Sequence, residues 1–186
     1  MSLRVAIQTD PLETAMVESN TTFALAEAAQ KIGAELFEYQ PENLSYREGR
    51  ITAFARPMTV QRVSGTPALF KDRVTLDLRD DVDVVLMRQD PPFDMAYITA
   101  CQLLELLAPD TLVMNDPTHV RSGPEKLYPL LVPDFMPPTL ISRDTAEIEA
   151  FRTDHKDVIV KPLYGFGGGD VFRVKPDDSK IGRAHV

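Results

Sequence analysis

The sequence contains no tryptophan, one cysteine and three histidines among its 186 residues. A single cysteine, Cys101, excludes an internal disulfide and a cysteine-based zinc site. Its apolar surroundings, residues 98–107, predict a buried thiol rather than a nucleophile. The three histidines, His119, His155 and His185, lack the spacing of metal ligands. We therefore assign no chemistry to these two residue types.

Long apolar runs and an excess of basic residues are also absent. No run approaches the ~20 residues that a membrane helix needs, and residues 1–8 turn polar without the apolar segment of a secretory signal. The 20 Lys and Arg against 28 Asp and Glu leave a net charge of −8, which disfavours nucleic acid as a partner. We predict a cytoplasmic protein with no membrane partner, in which any phosphate site is local.

Strand, loop and helix patterns alternate through residues 1–122. This alternation predicts an α/β domain with an open, largely parallel sheet, whose functional loops lie at the carboxyl ends of the strands. A hairpin with one polar face is predicted over residues 46–60. The other predicted strands are Leu3–Gln8, Glu35–Tyr39, Asp83–Met87 and Thr111–Met114, and the predicted helices are Asn20–Ile32 and Met95–Leu107.

The pattern changes after Gly123-Pro124, where we predict a domain boundary. The following residues predict a short helix over 125–131, a strand over 139–142 and a helix beginning at the capping residue Asp144. A glycine-rich hairpin then joins strands 158–160 and 171–174. Residues 123–180 are fewer than a domain usually needs to bury its own core, so we interpret them as the start of an α+β domain.

The segment from Val160 to Asp170 is the most informative one, because it places four glycines within five positions after a strand. The backbone N–H groups of Gly167, Gly168 and Gly169 can converge on an anion, and Lys161 supplies a positive charge. The segment is not a Walker P-loop, because it does not end in Gly-Lys-Ser/Thr. It is not a dinucleotide-binding turn either, because no helix follows it. The hypothesis is a lid over phosphates, with Lys126 as a second cation; the alternative is a loose turn and a solvated lysine.

Polar residues also follow two buried strands of the first domain. Arg88 lies directly after one strand and could hold a substrate carboxylate in a bidentate manner. The alternative is an ion pair of Arg88 with Asp90 or Asp94 that only fixes the turn. Asp10, in the loop that follows the first strand, is a weaker candidate of the same kind.

Several of these segments together resemble the bacterial-type glutathione synthetase family, a group of ATP-grasp ligases. The string Met87-Arg-Gln-Asp-Pro-Pro-Phe-Asp94 distinguishes this family from other ATP-grasp ligases. The resemblance covers residues 3–175 and implies a pre-ATP-grasp domain followed by a truncated ATP-grasp domain. The other matching segments are Asp10-Pro11, 22–31, 113–117, 124–127, 136–141 and Lys161-Pro-Leu-Tyr-Gly165.

The resemblance implies that ATP phosphorylates γ-glutamylcysteine and that glycine then displaces phosphate to give glutathione. Lys126, Lys161 and the glycines at 167–169 would contact the ATP phosphates, and Arg88, Asp10 and Asp90 would lie on the peptide side. The Mg²⁺ or Mn²⁺ ligands, the adenine site and most of the glycine site would lie in sequence that this chain does not contain. Thr9 and Asp170 depart from the residues usual in the family.

The last six residues, Ile181-Gly-Arg-Ala-His-Val186, predict a different origin. They can be encoded by ATC GGA AGA GCA CAC GTC, which matches the start of a widely used short-read sequencing adapter, and the adapter continues into a stop codon. We interpret residues 181–186 as a tail derived from adapter sequence, which ended the reading frame early. Different codons in the source DNA at these positions would contradict this interpretation.

Two alternatives to the glutathione synthetase interpretation stay open at the level of sequence. One is another ATP-grasp ligase that joins a carboxylate to an amine. The other is a non-catalytic module that binds a nucleotide or a peptide. The sequence also leaves the oligomeric state open, a homo-oligomer of the full-length enzyme being one option.

Overall fold

A computed structural model describes residues 2–176 and residue 178 of the chain. The chain divides into two compact units, Met1–Ser122 and Gly123–Val186, which we describe separately. The predicted tail, 181–186, lies outside the described residues, so its origin stays a prediction. Within the described part of the chain, no helix has both the length and the apolar composition needed to cross a membrane.

The first unit is built on an eight-stranded sheet. Its strands are β1 Arg4–Gln8, β2 Glu35–Tyr39, β3 Leu44–Arg47, β4 Arg50–Val60, β5 Ala68–Phe70, β6 Val74–Asp77, β7 Val84–Met87 and β8 Leu112–Met114. Its central strands β2, β1, β7 and β8 lie side by side in that order and pair in parallel. Strand β4 continues the sheet beyond β2 in antiparallel pairing and also pairs with β3, β5 and β6. This arrangement confirms the predicted α/β class.

The helices of this unit begin at side-chain caps. Helix α1, Thr21–Lys31, begins after Asn20, whose side chain accepts a hydrogen bond from the backbone N–H of Phe23. Helix α2, Met95–Glu105, begins after Asp94, which caps it in the same way. A short helix α3, Pro117–Ser122, follows β8. The two long helices confirm the predicted ones to within about two residues.

The sheet buries apolar side chains on both of its faces. Val5, Ile7 and Leu86 point to the face covered by α1 and pack with Phe23 and Ala26 of that helix. Ala6, Val85 and Met87 point to the opposite face, where Ala100, Cys101 and Leu104 of α2 join the core. Because successive residues of a strand face opposite sides, this alternation also decides which polar residues meet at the strand ends.

The second unit contains one long helix and one short hairpin. Helix α4, Thr145–His155, is capped by Asp144 as predicted. Strands β9, Val158–Val160, and β10, Phe172–Val174, form the predicted antiparallel hairpin. The predicted helix over 125–131 is confirmed only in its second half, where Tyr128–Leu131 is a 3₁₀ helix; residues 125–127 form a turn, since Pro129 cannot donate a helical hydrogen bond back to Glu125. The predicted strand over 139–142 is also wrong, because those residues pair with no strand among the described residues.

Candidate functional site

The loops after β1 and β7 are tied together at the carboxyl edge of the parallel strands. The carboxylate Oδ2 of Asp10 accepts a hydrogen bond of 2.7 Å from the backbone N–H of Asp90. The backbone N–H of Arg88 donates to the carbonyl of Gln8 at 2.7 Å. Both acidic side chains are exposed. The structure thus brings Asp10, Arg88 and Asp90 to one edge of the sheet, where ligands bind in open α/β folds.

Arg88 does not form the alternative ion pair with Asp90 or Asp94 that would only fix the turn. Its Nη2 donates to the Thr21 hydroxyl at 2.7 Å, and its Nε lies 3.3 Å from the Thr22 hydroxyl. Asp94 instead caps α2. Among the described residues, Arg88 has no carboxylate in ion-pair contact, and its guanidinium is half-buried beside the first turn of α1. A cation beside a helix N-terminus is an arrangement that favours a carboxylate ligand.

A buried carboxylate supports the loop that carries Asp10. Glu38 of β2 is fully buried and accepts hydrogen bonds from the backbone N–H of Leu12 and from Nε and Nη2 of Arg56. Nη1 of Arg56 donates to Glu13, which lowers the pKa of that carboxyl group. Sequence reasoning missed this network. The available signal was a glutamate inside the otherwise apolar strand Glu35–Tyr39.

A second buried polar group lies on the α2 face of the same strands. Nε2 of Gln8 donates to Oε1 of Gln89, and both side chains are buried. Tyr39, the cross-strand neighbour of Gln8, is fully buried, and burial raises the pKa of its phenol. These neutral groups line the edge of the sheet beneath the exposed loops of Asp10 and Asp90.

The glycine-rich turn of the second unit has the backbone conformation that its composition predicts. Gly167 and Gly168 have φ of +60° and +76°, in the left-handed region that favours glycine. A Cβ on Gly165 would lie 2.6 Å from Cγ of Pro162, so this position also needs glycine. The turn, including Gly169, is exposed apart from the half-buried Gly165. Its geometry leaves the backbone accessible to a ligand.

The two predicted phosphate-binding lysines differ in their surroundings. Nζ of Lys126 donates to the carbonyl of Gly165, which places this half-buried lysine against the glycine-rich turn. Lys161 follows β9 directly, is exposed, and makes no side-chain hydrogen bond or ion pair with another described residue. The second unit therefore brings Lys126 into contact with the turn. The charge of Lys161, four residues before Gly165, has no ion-pair partner among the described residues.

The remaining titratable residues show no arrangement for metal binding. Within residues 2–176 and residue 178, no group of three or more His, Cys, Asp or Glu side chains could hold a metal ion. Cys101 is fully buried in α2, as predicted, and burial raises its pKa to about 11. His119 is exposed and contacts Asp116 at 3.0 Å.

Comparison with protein families assigns each unit. Residues 3–121 match the family model described as "Prokaryotic glutathione synthetase, N-terminal domain". Residues 125–184 match the model described as "Prokaryotic glutathione synthetase, ATP-grasp domain". The glycine-rich turn and its lysines thus lie within the start of an ATP-grasp domain.

Curated relatives agree with both assignments. The chain is 48% identical to the glutathione synthetase of Brucella melitensis and 45% identical to that of Rhodopseudomonas palustris, with 97% and 98% of the chain covered. It is 36% identical to the enzyme of Salmonella typhi over 97% of the chain. The chain therefore belongs to the prokaryotic glutathione synthetase family. It spans 57–58% of the length of these three relatives.

Proposed function

We propose that this chain is the amino-terminal part of an ATP-dependent glutathione synthase. In the proposed reaction, the cysteinyl carboxylate of γ-L-glutamyl-L-cysteine attacks the γ-phosphorus of ATP, and ADP leaves. The amine of glycine then attacks the acyl carbon, a C–N bond forms, a proton is released, and phosphate leaves with the former carboxylate oxygen. The family membership and the contact between Lys126 and the glycine-rich turn support this proposal.

The second unit would bind the phosphates of ATP. Lys126 and Lys161 would neutralise their negative charge, and the turn at Gly167, Gly168 and Gly169 would close over them. Such a reaction depends on positioning and on charge stabilisation rather than on a covalent group of the protein. The conformation of the turn and the unpaired charge of Lys161 support this role.

The first unit would bind the peptide substrate. Arg88 would hold a carboxylate beside the N-terminus of α1, while Asp10 and Asp90 would shape the edge of the site through their shared hydrogen bond. The support for Arg88 is a half-buried guanidinium whose hydrogen-bond partners, Thr21 and Thr22, are neutral.

The metal ion of the proposed reaction, Mg²⁺ or Mn²⁺, would neutralise phosphate charge when bound. The described residues include no cluster that fits it, so we assign none of them as a ligand. We expect the ligands in the part of the family's length that this chain does not cover. We therefore expect the 186-residue chain alone to be inactive. Separately, we expect the complete enzyme to work in the cytoplasm.

The test is glutathione formation by the complete enzyme of which this chain is the proposed amino-terminal part. With ATP, γ-glutamylcysteine and glycine, we expect equal amounts of glutathione and ADP. Replacing Lys161 by Ala should lower kcat by about 10²–10³, since it removes a charge that stabilises the transferred phosphoryl group. Lys71→Ala, an exposed lysine of the first unit, is the matched control and should keep full activity. Unchanged kinetics for Lys161→Ala would refute the role of this lysine.

A further inference from the structure

A polar cluster lies on the α1 face of the sheet, at the end of β2 and next to the loop of Asp10. Glu38 of β2 is the cross-strand neighbour of Arg56 in β4. Because alternate residues of a strand share a face, Gln40 and Phe54 lie on the same side as this pair. The backbone N–H of Thr9 donates to the carbonyl of Tyr39 at 3.1 Å, which keeps the Asp10 loop beside Gln40.

Arg73 directly precedes β6 and is the second cation of this cluster. Unlike Arg56, it forms no ion pair with a described carboxylate. Its Nη1 donates to Oδ1 of Asn43 at 3.1 Å and to the carbonyl of Phe54 at 2.9 Å. Its guanidinium also lies 5.5 Å from the centre of the Phe54 ring. These contacts hold the side chain in place with neutral partners, and no described carboxylate forms an ion pair with it.

Gln40 adds a hydrogen-bond donor at the same place. The residue is 9% exposed, and its Oε1 lies 3.4 Å from Nη2 of Arg73. Its Nε2 is buried and has no hydrogen-bond partner among the described residues. Leaving such a buried donor unpaired destabilises the fold, so the arrangement favours an acceptor at this position.

The opposite charge of the cluster lies on Glu13. The hydrogen bond from Arg56 lowers the pKa of Glu13, and the charge of Arg73 acts in the same direction. The Glu13 side chain is 43% exposed and therefore accessible. The cluster thus combines an accessible carboxylate with a guanidinium and an amide that lack an anionic partner. A phosphate dianion would be repelled by Glu13 and Glu38, whereas a group with one charge of each sign would not.

We propose that Arg73, Gln40 and Glu13 bind a free α-amino-acid head group, the α-carboxylate at Arg73 and Gln40 and the α-ammonium at Glu13. This inference rests on the proposed function, because a γ-glutamyl peptide carries such a zwitterion at its amino end. The cluster would then determine specificity for the γ-linkage. A peptide with an ordinary α-linkage has no free α-carboxylate on its first residue.

The experiment compares two probes by isothermal titration of the 186-residue chain. One probe is γ-glutamylcysteine, and the other is the same dipeptide with its glutamyl α-carboxylate converted to a carboxamide. We expect the native dipeptide to bind about tenfold or more tightly, since the carboxamide replaces the charged acceptor opposite Arg73 by a neutral one. In Arg73→Met and Gln40→Met this preference should shrink towards one. Arg47→Met, an arginine whose side chain is 84% exposed, should leave it unchanged.

Equal affinity for the two probes, no binding of either, or an unaltered preference in Arg73→Met would overturn the inference. The comparison between the two probes uses the unmodified chain. The affinity ratio can therefore be interpreted even if a variant fails to fold. The two proposals also fail separately. If the complete enzyme forms glutathione but binds the two probes equally, only this inference is contradicted. If the probes are discriminated but no ATP-dependent ligation occurs, the proposed reaction is contradicted.

Discussion

At the residue scale, Asp170 combines a backbone conformation typical of glycine with a negative charge at a proposed phosphate site. Its φ is +54°, and its side chain is exposed at the end of the glycine-rich turn. A non-glycine residue in this region is strained, although Asp tolerates it better than most. Its carboxylate would also repel the phosphates of ATP, unless it points away from them.

Two substitutions separate these effects. Asp170→Asn removes the charge and keeps a residue that tolerates the conformation, so it should lower the KM for ATP without changing stability. Asp170→Gly should lower the KM similarly and raise the free energy of unfolding by about 0.5–1 kcal/mol, because the strain is also relieved. Steady-state kinetics and urea denaturation of the complete enzyme check both. An unchanged KM in both variants would mean that the carboxylate points away from ATP.

A second residue-scale prediction concerns acid stability. Hydrogen bonds from Arg62 lower the pKa of Glu27 from its ordinary 4.5 to about 2. Since the folded state holds the proton less tightly than the unfolded state, the pair stabilises the protein fully above about pH 4.5. This stabilisation is lost as the pH falls towards 2.

Arg62→Met should therefore move the acid-induced loss of stability at the α1 surface to higher pH. The most direct measurement is the titration of the Glu27 carboxyl group by NMR, in which the midpoint should rise towards 4.5 in the variant. Arg47→Met, which lacks a contact with Glu27, is the control. A midpoint near 4.5 in the wild-type protein would contradict the prediction.

At the scale of elements, the Glu38–Arg56 pair joins β2, β4 and the loop after β1. Arg56→Met would leave the fully buried Glu38 with the Leu12 N–H as its remaining hydrogen-bond donor. Removing one partner of a buried ion pair costs about 3–5 kcal/mol. We therefore expect a loss of that size in the free energy of unfolding, measured by urea denaturation.

The double variant Arg56→Met, Glu38→Leu is the informative comparison. It removes the uncompensated charge and should recover much of the lost stability. Arg47→Met should change stability by less than about 0.5 kcal/mol, as surface substitutions usually do. If the double variant were as unstable as Arg56→Met alone, the buried charge would not be the cause.

Elements with strong local signals could be predicted from sequence, and those that depend on partners could not. Strand β2 and helix α1 were predictable because an apolar run and a capping asparagine define them locally. Strands β5 and β6 were not, because both are short and exist through pairing with β4. Likewise, Lys161 could be predicted as a site residue because it lies next to the glycines in the sequence. The contact between Arg73 and Gln40 could not, because the two residues are 33 positions apart.

At the scale of the whole molecule, the two units differ in how much apolar surface they bury. The first unit has a core on both faces of its sheet. In the second unit, Val174 is the single buried residue among those that the structure describes, and large apolar side chains such as Leu131 and Phe135 are 76% and 89% exposed. Exposed apolar surface of this kind is typical of an interaction site. In the proposed enzyme, the remainder of the ATP-grasp domain would cover it.

The proposal that the complete enzyme activates a peptide carboxylate with ATP can be tested by isotope transfer. The complete enzyme is supplied with γ-glutamylcysteine that carries ¹⁸O in both oxygens of its cysteinyl carboxylate, together with ATP and glycine. Mass spectrometry should find one ¹⁸O in each phosphate released and the other in the new amide of glutathione. Phosphate without ¹⁸O, or ATP hydrolysis without glutathione, would contradict the proposed function.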